Sequence, residues 1–462
     1  MENVDFNPKQ LIEAITKRNV PEVRKIFEDY NLIDIAEVLN TIENPADLLF
    51  IFKTVPANYT GEVFTYLDKD VQENLINILT SEQISAILDN VYTDDIVDFI
   101  EEMPSNLMMK ILRSASKETR QEINHLLDYS ENSAGSIMTT ELIELKEEDT
   151  IKEAMDKIRK TGKEAETISY LFVIDNSRKL VGTLRLRDLI FAAENSKIGD
   201  IMETDFVNVM TTDDQEVVAS IFKRYDLNAI PVTTQDGRLV GIITVDDIID
   251  VIDEEATEDI QKMAAMQPLQ EEYLKIPVFT LAKKRIVWLM VLMFSATFTG
   301  LIINRFEDVL MHLPALTIFI PMLMDTGGNS GGQTSTLVIR GLALGQITTK
   351  DYGKVLSKEM GVALIAGGSL AAFDFCWILF ENAVGIIKIT SSVSPYLVAL
   401  LVALTLFITI FLAKSIGSTL PIIAKKIGFD PALMAGPLVT TIVDAVSLMV
   451  YFFLATQIFR LI

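Results

Sequence analysis

Hydrophobic positions follow three rhythms along this 462-residue chain. Through residue 130 they recur at helical spacing in short runs, among them IDIAEVLNTI, TSEQISAILDNV and TDDIVDFIEEM. Polar turns separate the runs, which predicts an all-α helical N-domain over 1–130, built as a solenoid or bundle. From 132 to 255 short apolar strands alternate with short helices, which predicts an α+β region. Beyond 276 the apolar runs lengthen to about the 20 residues that a bilayer requires. Five such stretches, over about 286–303, 309–344, 355–380, 395–420 and 431–459, predict an α-helical membrane domain with five spans over 276–462.

The middle region contains an internal repeat. Its first copy opens SAGSIMTTELIELKEEDT and continues YLFVIDNSRKLVGTLRLRDLI. Its second opens KIGDIMETDFVNV and continues AIPVTTQDGRLVGIITVDDII. Each copy has an Ile-Met opening, a strand, a helix, an apolar strand, a turn, Leu-Val-Gly in the next strand and a helix opened by an acid. This arrangement resembles tandem CBS domains, over 132–195 and 197–255. The resemblance implies ligand sensing, often of adenosine nucleotides, rather than catalysis. The cleft positions it marks are Tyr170, Arg187 and Asp188 in the first copy, and Asn208 and Pro231 in the second. The alternative is that these residues only pack a dimerisation surface.

In the last apolar stretch, PALMAGPLVTTIVDAVSLMVYFFLATQIF, Asp444 is the single charge. A carboxylate at mid-bilayer costs roughly 2.5–3.5 kcal/mol on insertion scales unless it meets a partner, water or a cation. Asp444 is therefore a candidate cation ligand; the alternative is a hydrogen-bonded helix-packing residue. Pro437, one or two turns earlier, is expected to free a backbone carbonyl, and Thr440 and Thr441 add hydroxyl oxygens. The second stretch carries DTGGNSGGQ, whose glycines weaken a helix by roughly 1 kcal/mol each. An interrupted helix is expected there, lining a path with Asn329 or packing closely. Lys and Arg cluster before the first span, between the second and third, and between the fourth and fifth; the alternate loops hold Arg305, Lys388 and Arg460. This places the N-terminal domains in the cytoplasm and the C-terminus outside a cell membrane crossed several times. No cleaved signal peptide is expected at MENVDFNPKQ.

Charge sharpens the division. Residues 276–462 hold 13 basic and 9 acidic residues, whereas 1–275 hold 27 and 55, a net of −28 within a chain whose total is −24. That excess argues against nucleic acid and anionic lipid as partners and suits cations. Two His and one Cys, Cys376, leave no soft-metal site or disulfide framework. No nucleophile–base pair and no phosphate loop stand out, so no enzyme is expected. An acidic connecting helix is predicted over 246–275, where Asp247, Asp250, Glu254 and Glu258 share one face at i, i+3 and i+4 spacing. Divalent cations would relieve that repulsion by bridging to a second acidic surface, such as that of Asp94, Asp95 and Asp98; a solvated spacer is the alternative.

Four segments carry a resemblance over the whole chain: RIVWL (Arg285–Leu289), PMLMDTGGNSGGQTSTLVIRGLALG (Pro321–Gly345), KEMGV (Lys358–Val362) and DPALMAGPLVTTIVDAVS (Asp430–Ser447). With the domain order they resemble the MgtE family of magnesium channels and transporters. The resemblance implies a homodimer with an ion path lined by the second and fifth spans, and Mg2+ as permeant ion bound at Asp444. It further implies regulatory Mg2+ that bridges the N-domain, CBS domains and connecting helix and holds the path closed. The matching acids are Glu216, Asp226, Asp247, Asp250, Glu255, Glu258, Asp259 and Asp430, with Asp94 and Asp95 in the N-domain. Some members also bind ATP in the CBS cleft. Where some relatives have Asn before the fifth-span proline, this chain reads Ala435-Gly436-Pro437. Two other readings stay open: a CBS-regulated transporter of another divalent cation such as Co2+, and a membrane-anchored nucleotide sensor.

Overall fold

The computed structural model describes residues 6–459 except 102, 270–272, 275, 388 and 390–392. Lys388 and Arg460, counted above among the loop charges, lie outside the described residues. The chain forms two compact units, Met1–Val251 and Ile252–Ile462.

The first unit begins with short helices, as the turn-punctuated pattern predicts. They run from α1 (Pro8–Thr16) through α2 (Val20–Asp29), α3 (Leu32–Asn40), α4 (Pro45–Thr54), α5 (Ala57–Thr65), α6 (Lys69–Ile78), α7 (Ser81–Leu88), α8 (Thr93–Glu101) and α9 (Ser105–Ser114) to α10 (Lys117–Leu126). Their starts are written locally. Asn7, Asn31 and Asn44 cap α1, α3 and α4, and Thr80 closes a reciprocal capping box with Gln83 on α7. The apolar stripes meet in one core, where the Phe64 ring sits edge-on to Phe99 at 5.2 Å.

The repeat folds into two three-stranded sheets of the same design. In the first, β1 (Glu144–Lys146) pairs parallel with β2 (Tyr170–Ile174), and β2 pairs antiparallel with β3 (Leu180–Arg185). In the second, β4 (Val209–Met210), β5 (Ala229–Thr233) and β6 (Leu239–Thr244) repeat that order. The helices are α11 (Ile151–Thr161), α12 (Leu186–Phe191), α13 (Gln215–Tyr225) and α14 (Val245–Met263). The two sequence signatures meet in space. The glycine of each Leu-Val-Gly, Gly182 or Gly241, lies under the methionine of an Ile-Met opening, Met202 or Met138; a Cβ there would come within 2.6 or 2.7 Å of the sulfur.

In the second unit, α15 (Val278–Arg305), α18 (Tyr352–Val384), α19 (Pro395–Lys426) and α20 (Gly436–Phe459) are each long and apolar enough to cross a membrane. Between α15 and α18 lie the short α16 (Glu307–His312) and the 24-residue α17 (Ile320–Ala343), which holds the glycine-rich segment. Four helices, not five, therefore qualify among the described residues on length and apolarity. The expected interruption of the glycine-rich segment is also absent, because α17 is continuous through it. Packing explains both results. Gly327 lies against Thr409 of α19 and Val443 and Ser447 of α20, and Gly331 lies against Val439. The glycines remove side chains where helices touch, which lowers hydropathy without breaking the helix.

Gly417 of α19 is the tightest of these contacts, since a Cβ there would stand 2.3 Å from the Gly331 carbonyl oxygen. Gly417→Ala should therefore abolish a monodisperse, folded membrane unit in detergent. Gly368→Ala, with no atom within 4 Å of its added methyl, should leave it intact.

Candidate functional sites

The first candidate site is a group of carboxylates in the first unit. Asp94 and Asp95 come from the first turn of α8, and Asp246 and Asp247 from the first turn of α14. Asp94 is buried, and its Oδ1 is shut from water with no hydrogen-bond partner. Burial, and then the charge of Asp247, push its carboxyl well above the usual range. Asp95 is pushed to about 6 by burial and by Asp247, Asp246 and Glu141. Asp247 is also raised by burial, although it accepts bonds from the Thr244 hydroxyl at 2.6 Å and backbone N–H at 3.2 Å. Asp247, in the first turn of α14, thus ties back to Thr244 before the helix and faces the acids of α8.

Two members of this group escape sequence reasoning. Glu141 and Glu166 sit in loops, where no periodicity marks them. Glu141 ties α8 to the first CBS domain by accepting the Thr93 hydroxyl at 2.6 Å and the Thr93 N–H at 3.2 Å. Glu166 has a buried Oε2 with no hydrogen-bond partner, and burial followed by the charges of Asp247, Asp246, Asp95 and Glu141 pushes it to about 8.

The other first-unit candidates are more scattered. Glu216 is exposed in the first turn of α13, and Asp226 ends that helix in the left-handed conformation at φ 50°. Asp250 is exposed on α14. Among the nucleotide candidates, Tyr170 is half-buried on β2 opposite Arg185. Arg187 and Asp188 lie together on α12, where Asp188 accepts from Arg185 Nε at 2.9 Å. Asn208 donates to Thr233 Oγ1 at 2.8 Å, and Pro231 is buried within β5.

In the second unit Glu255, Glu258 and Asp259 are half-buried on the last turns of α14. Lys262 Nζ lies between Glu258 at 2.6 Å and Asp430 at 2.7 Å. Burial would lower the Lys262 pKa, but its bonds to Asp430 and Glu258 win and raise it. Asp259 is raised by burial and by the nearby charge of Asp430. This lysine, which the charge pattern gave no reason to single out, supplies the positive charge expected there of a metal ion. Among the described residues no three His, Cys, Asp or Glu side chains are arranged to hold a metal by themselves. Magnesium binds through one or two carboxylates and keeps several waters, so it needs no such cage.

Asp444 is half-buried on α20, and its Oδ1 is enclosed with no hydrogen-bond partner. The Asp325 carboxylate of α17 is its charged neighbour. Pro437 frees no carbonyl one turn back, because it falls where α20 begins and no intrahelical bond is lost there. Pro437 falls in the first turn of α20, and its carbonyl accepts from Thr441 Oγ1 at 2.8 Å. Thr440 Oγ1 donates likewise to Gly436 O at 2.8 Å. Along α17, Asp325, Asn329 and Gln333 form an exposed polar column at four-residue spacing. The combination of an enclosed carboxylate and a polar helix face in an apolar bundle suits a hydrated cation.

Residues 320–454 match the MgtE family, described as divalent cation transporters; residues 30–132 match the MgtE intracellular N domain; residues 134–195 and 198–254 match CBS domains. A magnesium transporter MgtE of Thermus thermophilus is 32% identical over 96% of this chain and 96% of its own length. One from Bacillus subtilis is 33% identical over 93% and 95%. The chain belongs to the MgtE family of divalent cation transporters. A crystal structure of the soluble part of a magnesium transporter is 32% identical, with a TM-score of 0.52 over 54% of this chain and 98% of that one. The cytosolic domain of the Mg2+ channel MgtE in complex with ATP is 30% identical, with a TM-score of 0.50 over 53% of this chain and all of that one. The family resemblance read from the four segments is thereby borne out, as are the helical N-domain and the tandem CBS domains.

The first-unit carboxylates make stability depend on pH. Glu166 rises from 4.5 to about 8 and Asp95 from 3.8 to about 6 on folding. Between those values the folded state binds more protons than the unfolded one, so stability falls as pH rises through the window. In chelator, the unfolding midpoint of the soluble unit should drop from about pH 5 to about pH 8. Glu166→Gln should flatten the upper part of that decline, and an unchanged slope would show that Glu166 ionises freely.

Proposed function

We propose that the chain moves Mg2+ across the cell membrane, with Asp444 as the carboxylate that receives the ion. One observation carries this reading: a half-buried aspartate with an enclosed, unpartnered oxygen on a membrane-crossing helix, beside Asp325. Such a group is costly unless a cation or water compensates it. Mg2+ holds its hydration shell tightly, so one carboxylate per subunit, reaching the ion directly or through water, fits its chemistry. The exposed Asp325–Asn329–Gln333 column supports α17 as a fifth span whose polar face meets a second copy of the chain, so that a homodimer encloses the path. Loop charges favour cytoplasmic N-terminal domains and a C-terminus outside.

The regulatory reading rests on the buried acids. Asp94 Oδ1 and Glu166 Oε2 lack partners, and a cation between α8 and the start of α14 would satisfy both. Hydrated Mg2+ bridging an acid of α8, Asp94 or Asp95, to Asp247 of α14 would replace repulsion with bridging and favour the compact state that closes the path. Glu216, Asp226 and Asp250 are further candidate ligands; Glu255, Glu258, Asp259 and Asp430 become so only where Mg2+ displaces Lys262 from Glu258 and Asp430. In the CBS region, Tyr170, Arg187, Asp188, Asn208 and Pro231 are proposed to line a nucleotide cleft, with ATP as the candidate, as in the ATP complex of the related cytosolic domain. The second reading, transport of another divalent cation such as Co2+, shares every step but the preferred ion.

In liposomes, Asp444→Ala should abolish Mg2+ flux while the protein still inserts and runs at its native size. Asp444→Asn should fail in the same way; flux at the wild-type rate in either variant would remove Asp444 from the path.

Protease protection of residues 1–251 should rise with Mg2+ over about 10⁻⁴–10⁻³ M, by analogy with weak extracellular calcium modules. In Asp95→Asn/Glu166→Gln the same protection should be present without Mg2+. A variant that still needs the wild-type Mg2+ concentration would show that these acids are not the sensor.

A further inference from the structure

The KEMGV run contains a charge that the transport reading does not use. Glu359, on α18, is largely buried, and so is Lys414 on α19, with side-chain exposures of 14% and 8%. Their ion pair is long, at 3.5 Å, because Thr334 of α17 stands between them. Lys414 Nζ donates to Thr334 Oγ1 at 3.1 Å, and Thr334 Oγ1 donates to Glu359 Oε2 at 2.9 Å. One threonine hydroxyl, 1% exposed as a residue, thus joins three helices at a single point.

We propose that Glu359, Lys414 and Thr334 form a positioning clamp that sets the rotation and height of α17, and through it the placement of the permeating ion. The closest glycine contact of α17 gives less direction than this. Where Gly331 meets Gly417 the contact is backbone on backbone, which sets how close the helices come but offers no directional bond. A hydroxyl that donates to a carboxylate and accepts from an ammonium is directional and admits one arrangement. Thr334 follows Gln333, the last member of the exposed polar column, so turning α17 at Thr334 turns Asp325 and Asn329 with it. From Thr334 to Asp325 the helix rises roughly 14 Å, so a small rotation at the clamp reorients the column and with it the Asp325 carboxylate beside Asp444. Burying two opposite charges is a poor way to gain stability alone, since an apolar pair of similar volume often serves as well. What the pair adds over an apolar one is a fixed geometry for the hydroxyl between them.

The proposal rests on the reading that α17 lines a Mg2+ path, and its test separates the two. Full-length Glu359→Leu/Lys414→Met removes both charges together, leaving neither buried without its partner. It should fold, judged by a monodisperse peak and a thermal midpoint near wild type. In liposomes its apparent KM for Mg2+ should shift about tenfold, within the range by which positioning residues alter coupling. A folded double variant with the wild-type KM overturns the clamp and leaves a merely structural ion pair. Thr334→Val keeps shape but loses the hydroxyl and should shift KM in the same direction; Thr334→Ser should restore it. A wild-type KM in Thr334→Val overturns the proposal even where the double variant does not fold. Absence of Mg2+ flux in the wild-type protein takes down the transport reading and the clamp with it.

Discussion

A carboxylate enclosed without a donor is among the most costly groups a folded protein can hold, and both units of this one hold such groups. Asp94 and Glu166 in the first unit and Asp444 in the second each keep an oxygen away from water and from any hydrogen bond. In the first unit several acids also face one another, so removing a proton from one raises the cost for the rest. Such sites are left poised for a positive charge. Around the Glu258 and Asp430 acids the chain supplies that charge itself, through Lys262. Around Asp94 and Asp444 it supplies none that the structure places in contact, which is why those two sites fit a cation from solution.

The glycine-rich helix shows how a polar surface is carried into an apolar bundle. Gly327 and Gly331 let α17 approach α19 and α20 closely, so one side of the helix is spent on packing. The other side is left to Asp325, Asn329 and Gln333. A helix with larger residues at the contact would stand farther off, and its polar column would be placed by side-chain bulk. Here the backbones set the distance, and the Thr334 hydroxyl, held by Glu359 and Lys414, sets the angle.

The CBS repeat explains why an acid in a helix's first turn also serves as a charged site. Asp188 and Asp247 occupy the same place in the two copies, each just inside the helix that follows the third strand. In the first copy the neighbouring Arg185 pairs with Asp188. In the second, Thr244 stands where Arg185 does; it donates to Asp247 but brings no positive charge. Two differences between the copies, Arg185 against Thr244 and Arg187 against Asp246, thus replace the arginines beside Asp188 with a threonine and a second acid beside Asp247.

Much of this was legible in the sequence, because local chemistry decides it. Helical spacing between polar turns placed the short helices of the N-domain, the repeat announced two sheets of one design, and the lone charge in the last apolar stretch marked Asp444. The four motif segments were enough to identify the family. The sequence misled where one residue type has two uses. Glycines in DTGGNSGGQ read as a break or as close packing, and the structure decides for packing in a continuous helix, because neighbouring helices cover the surface that a glycine exposes. Pro437 read as a helix breaker, yet it sits in the first turn, where a missing N–H costs nothing. Glu141, Glu166 and Lys262, and the Thr334–Glu359–Lys414 link, were invisible for a different reason. Their partners are distant in sequence or are met only once helix ends and loops converge, and no periodicity records which side chains long-range packing brings within a hydrogen bond.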